Sequence, residues 1–206
     1  LDGIRRGAEV AFLGARPAIA PTEKWIGRVL NGLGEPIDDK GPLEAGRRPM
    51  LLRASPPPAA RRARLGERVD FGVKALNAFA MARRGQRLGI FSAAGVGKSA
   101  LLSMGARHSE FDVAVIALIG ERGREVREFI EDQLGPEGLR KSIVIAATSD
   151  EPAMLRREAA FLAMTVAEYF RDNFEGGGAS VLCLMDSMTR IATAQREIGL
   201  ASGEPP

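Results

Sequence analysis

Eight consecutive residues hold the densest chemistry in this chain: Ser92, Ala93, Ala94, Gly95, Val96, Gly97, Lys98 and Ser99. Small side chains and two glycines let backbone N–H groups converge on one anion, and the Gly-x-Gly ahead of the lysine permits a tight turn and close backbone approach. Lys98 has the reach to meet the outer phosphates of a nucleotide, and the Ser99 hydroxyl suits a magnesium ion. The usual spelling of such a loop is G-x-x-x-x-G-K-[ST], and its first position here is Ser92. A Gly-rich turn with a surface lysine is the competing reading. Against it stand a short apolar strand predicted over 88–91 and a helix predicted over 98–107.

Two acids complete a hydrolytic set. Asp186 closes the apolar run 180–185 (SVLCLM), where a carboxylate orients magnesium through its water shell. Glu121 follows another apolar run, 113–119 (VAVIALI), and is the candidate base for a water placed in line with a terminal phosphate. Such a base contributes on the order of 10²–10⁴ in rate. The alternatives are a strand-end cap for Asp186 and, for Glu121 and Glu125, surface pairing with Arg122, Arg124 or Arg127. Arg122 and Arg190 are candidates for steadying phosphate or carboxylate charge.

These residues need a scaffold, and the pattern supplies one. From Val69 onward strands and helices alternate: a helix over 71–83, then the loop strand, then the helix opened by Lys98. Residues 113–119 and 142–147 (SIVIAA) have the length and β-branching of parallel strands covered on both faces. A helix after Glu121 is expected to run to about Leu134 and to stop at Gly135-Pro136. Ser149-Asp150 is expected to cap a long helix whose apolar face is Leu155, Ala159, Leu162, Val166 and Tyr169, ended by Gly176-Gly177-Gly178. A last helix is expected over 188–198. The fold class is therefore α/β with a mostly parallel sheet. Ligands in such sheets bind at the carboxyl ends of the strands, where the phosphate loop, Glu121 and Asp186 all fall.

Ahead of this unit, residues 1–48 read as β-rich, with runs over 8–13 and 25–30 and turn signals at Asn31-Gly32 and Gly41-Pro42. They are too few for a whole domain. Residues 49–68 read as a linker, extended by its prolines and followed by Arg61, Arg62 and Arg64. Trp25, the one tryptophan, is expected in the core. His108, the one histidine, is expected at a surface turn and rules out a histidine metal cluster.

The 206 residues are 45% apolar and 27% charged, with 29 basic against 26 acidic groups and a net charge of +3. That balance, with no aromatics interleaved in the arginine run, argues against a nucleic-acid binder. The single Cys183 excludes a disulfide framework within the chain and fits a reducing compartment. No apolar run is long enough to span a bilayer. The chain starts at Leu1 and ends at Pro206, and both ends look cut.

At this point a family likeness is visible. The segments IGERGREV (119–126), ATSDEP (147–152), LMDSMTRIATAQREIGL (184–200) and SGEPP (202–206) resemble the flagellar, type III secretion export ATPases, relatives of the catalytic subunit of rotary ATP synthases. VLNGLGEPIDDKGPL (29–43) is similar to the end of that family's N-terminal β-barrel. The resemblance implies a RecA-like P-loop core over 69–206, incomplete at its C-terminal side, preceded by a linker over 49–68 and a barrel tail over 1–48. It implies ATP and Mg2+ as ligands, with Lys98 and Ser99 on phosphate and magnesium, Glu121 as base with Arg122 beside it, and Asp186 in the Walker-B role. It also implies a homo-hexamer with ATP at subunit interfaces, working with regulator and stalk proteins, export chaperone–substrate complexes and a membrane export gate. Its place would be cytoplasmic, peripheral to the flagellar base. The family's arginine finger and adenine pocket would lie past Pro206, so the chain alone is expected to hydrolyse ATP weakly or not at all. A virulence-type secretion ATPase, a rotary ATPase nucleotide-binding subunit and an RNA-translocating hexamer are the other readings. Glu121 counts against a non-catalytic ring subunit, and the weak net charge counts against RNA.

Overall fold

The computed structural model describes residues 5, 7–9, 11, 17–93, 95–174 and 177–205. Its centre is built by the apolar runs. β4 (Val113–Ile119), β5 (Ser142–Ala147) and β6 (Val181–Asp186) form a parallel sheet with β2 (Val29–Leu30), in the order β2-β5-β4-β6. Every residue of β4 and β5 is buried, as continuous Val, Ile and Ala runs require when both faces are covered. In the register, Leu118 lies opposite Asp186 and Ile119 opposite Ala147, so the strands finish side by side.

Helices cover both faces. On one, α5 (Ala153–Asn173) lays Ala159, Leu162, Val166 and Phe170 on the sheet, joined by Trp25. On the other, α2 (Lys98–His108) packs Leu102 and Ala106 with Val126, Phe129 and Leu134. α6 (Met188–Ala201) follows β6 directly. Glu121 is followed by α3 (Gly123–Glu128), which widens into a π-helical turn over Phe129–Leu134. Gly135, at positive φ, breaks that turn, but a short α4 (Gly135–Leu139) follows where the sequence pattern predicts a stop.

Residues 17–48, expected as a barrel tail, are tied into this sheet. β2 pairs parallel with β5, Val29 facing Val144 and Leu30 facing Ile145. Trp25 is in the core, its indole N–H donating to Glu44 O at 2.9 Å. Arg28 grips Asp38 with two nitrogens, at 2.7 and 2.8 Å, which closes the 28–38 turn beneath β2. β1 (Ala18–Ile19) and β3 (Met50–Leu51) make a small antiparallel ribbon. Half of the strand expected over 8–13 lies outside the described residues, and the described residues 8, 9 and 11 are not in a strand. Residues 53–68 are exposed throughout, as the proline-rich composition leads one to expect.

Three expectations are corrected. Residues 88–91 form no strand: the segment pairs with no other among the described residues, Phe91 is 96% exposed, and its ring lies over the bare backbone of Gly89. The helix predicted over 71–83 shrinks to α1 (Lys74–Phe79). Its C-terminal part is drawn instead into an antiparallel bridge, where Val69 N–H donates to Ala82 O and Arg84 N–H to Glu67 O, both at 2.9 Å. At its start, Gly72 sits at positive φ against the backbone of His108. Finally, α5 begins after Pro152 with no side-chain cap, so Ser149-Asp150 forms the preceding turn and not the cap.

Candidate nucleotide-phosphate site

The phosphate loop opens α2. Gly95 and Gly97 both take positive φ, 76° and 92°, which L side chains resist. A Cβ at either would meet open space, so conformation and not crowding calls for glycine there. Ser92, Ala93, Gly95, Val96 and Gly97 are all exposed, and Ala94 lies outside the described residues. No side chain caps α2. The first-turn N–H groups of a helix lack intrahelical acceptors and face a positive dipole end, so this uncapped start suits an anion.

From the far side of the loop, β6 brings in Asp186, whose carboxylate is 3% exposed. Lys98 Nζ donates to Asp186 Oδ1, and Ser99 Oγ to Oδ2 at 3.4 Å. Two oxygen ligands, a hydroxyl and a buried carboxylate, thus share one point. That donor set suits a hard cation such as magnesium, which takes few protein ligands and relies on phosphate and water for the rest. Among the described residues there is no cluster of three or more acidic, histidine or cysteine ligands that would favour another metal.

Glu121 stands one residue past the end of β4, with its side chain 19% exposed. Burial pushes its carboxyl up from the ordinary range, as do a hydrogen bond shared with Glu125 and the nearby charge of Asp186, while Arg190 pulls it down; the net direction is up. Glu125 moves the other way, held ionised by Glu121 and by the Arg122 N–H at 3.3 Å. Arg190, from the first turn of α6, sets Nη2 3.6 Å from Glu121 Oε2 and donates through Nη1 to Gly120 O at 2.6 Å. The Asp186–Ser187 peptide that leads into α6 is cis.

The structure therefore gathers Lys98, Ser99, Asp186, Glu121 and Arg190 at one end of the sheet. It does not bring in Arg122, whose side chain is 77% exposed and whose nearest carboxylate is Glu125 at 4.0 Å. Sequence reasoning passed over Gly120. Its φ of 73° and the Arg190 side chain packed over it demand glycine, and a lone glycine between an apolar run and an acid was the available signal. The site is an open shelf. A hollow of about 360 Å³ beside Pro21, Arg48 and Tyr169 is lined by none of these residues.

A parallel sheet with a Gly-x-Gly-Lys-Ser turn opening a helix beside it and an acid ending a nearby strand defines a RecA-like P-loop nucleotide-binding unit. The model of the ATP synthase alpha/beta family, nucleotide-binding domain, matches residues 72–206, and the chain belongs to that family. It is 54% identical over 206 residues to the flagellum-specific ATP synthase of Caulobacter vibrioides, covering 100% of this chain and 46% of that protein. To the flagellum-specific ATP synthase of Bacillus subtilis it is 52% identical over 181 residues, covering 88% and 40%. To the type 3 secretion system ATPase of Xanthomonas euvesicatoria it is 48% identical over 206 residues, covering 100% and 46%. Among solved structures, it is similar to the assembled ATPase EscN in complex with its central stalk EscO, from the type III secretion system of enteropathogenic E. coli. There the TM-score is 0.89 at 40% identity, covering 100% of this chain and 49% of the other. The chain thus spans about half the length of the relatives it matches. No helix among the described residues is long and apolar enough to cross a membrane.

Proposed function

We propose that the protein carrying this chain hydrolyses ATP, with Mg2+, to energise protein export through the flagellar type III apparatus. The observation that carries this reading is the convergence of Lys98 and Ser99, at the start of α2, with Asp186 and Glu121 at adjoining strand ends. Bound magnesium–ATP supplies the anhydride to be cleaved and a divalent charge beside it. Lys98 and the N-terminus of α2 bind and orient the phosphates. Ser99 and Asp186 hold the metal. Glu121 accepts the proton of the attacking water, and its environment keeps the carboxyl basic enough for that task. Arg190 fixes the Glu121 carboxylate and the turn that carries it. Arg122, close in sequence but turned outward, is suited to a neighbouring subunit or to the nucleotide after a rotamer change.

The assembled EscN supports a homo-hexamer, and its EscO complex supports a stalk partner. Regulators, export chaperone–substrate complexes and a membrane export gate complete the set, at the cytoplasmic face of the flagellar base. Nucleic acid is not among them. The 48% identity to the Xanthomonas protein favours one second reading, a virulence-type secretion ATPase. Lys98→Ala in the chromosomal copy tests the pair. Loss of flagellar filaments supports the flagellar role. Intact filaments with lost effector secretion support the second reading, and no loss of either contradicts both.

A further inference from the structure

At the edge of the sheet opposite Glu121 and Asp186, a hollow of about 360 Å³ is lined by Pro21, Arg47, Arg48, Tyr169, Asp172 and Asn173. One wall is the last turn of α5, which runs back from the end of β5 until Ala179 N–H, just ahead of β6, donates to Phe170 O at 2.9 Å. The facing wall is fixed by a glycine. A Cβ on Gly46 would clash with the Pro21 carbonyl, and the Gly46 N–H donates to Ala20 O at 2.7 Å. The chain is thereby pressed onto buried Pro21, and Arg47 and Arg48 leave it from a rigid base. The charges in the hollow are not balanced. Asp172 spends both carboxylate oxygens on Arg171, at 2.6 and 2.7 Å. Asn173 donates to Tyr169 O and accepts from Arg48 Nη1, both at 3.1 Å, which aims the guanidinium and uses one of its five N–H groups. Among the described residues neither Arg47 nor Arg48 forms a salt bridge. Burial, and then the charge of Glu23, hold the half-buried Tyr169 phenol above its ordinary range against the pull of Arg48, so its hydroxyl keeps its proton.

We propose that this hollow is a binding site for carboxylate groups, held by the guanidinium forks of Arg47 and Arg48 with the Tyr169 hydroxyl as a further donor. A guanidinium meets a carboxylate with two parallel N–H···O bonds, and two uncompensated cations call for two such charges. The volume lies in the range of small-ligand sites. The surroundings favour carboxylate over phosphate. The last turn of α5 presents the negative end of its dipole here, and Asp172 and Glu23 lie beside it. A phosphate dianion would concentrate two charges against them, whereas a carboxylate brings one charge spread over two oxygens. Pro21 and the Tyr169 ring supply apolar surface for the methylene groups that carry a carboxylate. The ligand is therefore a free polycarboxylate or the acidic side chains of a peptide, which share this chemistry. None of the lining residues belongs to the nucleotide site, so the proposal stands independently of it.

The test uses the full-length protein at physiological salt with saturating magnesium–ADP, which fills the phosphate site. Citrate followed by calorimetry and fluorescein-labelled hexaglutamate followed by anisotropy are the probes. At least one should bind saturably, and inorganic phosphate at equal concentration should not displace it. Arg47→Gln with Arg48→Gln should weaken binding on the order of tenfold or more, and Tyr169→Phe severalfold. Arg61→Gln with Arg62→Gln removes the same charge from another exposed segment and should leave binding unchanged. An unaltered melting temperature and ATP turnover in the Arg47–Arg48 variant guard against misfolding, and Tyr169→Phe decides if that variant does not fold. Binding of citrate alone marks a free polycarboxylate as the ligand, and binding of hexaglutamate alone marks an acidic peptide; either supports the site. No saturable binding of either probe, displacement by equal phosphate, an equal loss in the Arg61–Arg62 variant, or undiminished affinity in Tyr169→Phe would overturn it.

Discussion

Arg190 holds Glu121 from the neighbouring element: its Nη2 lies 3.6 Å from Glu121 Oε2 while its Nη1 donates to the carbonyl of Gly120 at 2.6 Å. One guanidinium therefore fixes both the candidate base and the backbone step before it. Its planar fork makes lysine a poor replacement. Arg190→Lys or Arg190→Ala is expected to lower kcat roughly tenfold or more, a fraction of the 10²–10⁴ that a positioned base supplies. In Arg190→Ala the acid limb of the pH–rate profile should move to higher pH, because the charge of Arg190 is what pulls the Glu121 carboxyl down. An unchanged profile would remove Arg190 from the account.

Gly120 is held by the same contact. A Cβ there would sit 2.9 Å from Arg190 Cβ, near the rigid end of that side chain, and the φ of 73° is unfavourable to any L residue. Gly120→Ala should cost about 1–2 kcal/mol in a urea denaturation. It should also reproduce part of the Arg190→Ala rate loss. Wild-type stability with wild-type rate would show that the turn can relax.

Much of this was legible beforehand. VAVIALI and SIVIAA become buried strands because their runs are short, β-branched and free of breakers; SVLCLM becomes a strand too, but a mostly half-buried one at the edge of the sheet, and Glu121 and Asp186 follow from where those runs stop. What failed depended on distant partners. Residues 88–91 have a strand-like composition but no paired neighbour, and composition does not carry that fact. The helix expected over 71–83 lost its end to a bridge with residues 67–69, a tertiary preference that local propensity does not contain. Val29–Leu30 join a sheet more than a hundred residues away in sequence, which a pass along the chain read as a separate β-rich piece. The contact between Arg190 and Gly120 joins helix α6 to the end of β4, and it too required the fold.

The Glu121–Glu125 pair makes a prediction in pH. With Glu121 raised and Glu125 lowered, the two titrate as a unit, and Glu121 is the member that keeps the proton longer. Activity should fall on the acid side at a pH above the ordinary carboxylate range. Glu125→Gln removes one negative neighbour, so that limb should shift to lower pH. The stability sign is the reverse of the usual carboxylate case. A raised folded-state value means that Glu121 contributes less to stability as pH rises past its unfolded value. A pH–rate profile of Glu125→Gln superimposable on the parent's would contradict the pairing.

Away from the site, Asp38 pins the turn beneath β2. Burial pushes its carboxyl up, but bonds from Arg28 and from the Val29 and Lys40 amides outweigh it and bring it down to about 2. The shift contributes about 2 kcal/mol above the unfolded value of 3.8, lost as pH falls toward 2. Asp38→Asn leaves Arg28 with its side chain 11% exposed and uncompensated, and should cost about 3 kcal/mol at neutral pH. Acid denaturation of parent and variant side by side checks both statements.

The central claim is that Glu121 is the base of an ATP-hydrolysing site. Single-turnover hydrolysis of ATP by full-length Glu121→Gln tests it most directly. The variant should bind ATP as tightly as the parent and cleave it on the order of 10²–10⁴ more slowly, leaving intact ATP on the protein. Cleavage at the parental rate would contradict the assignment.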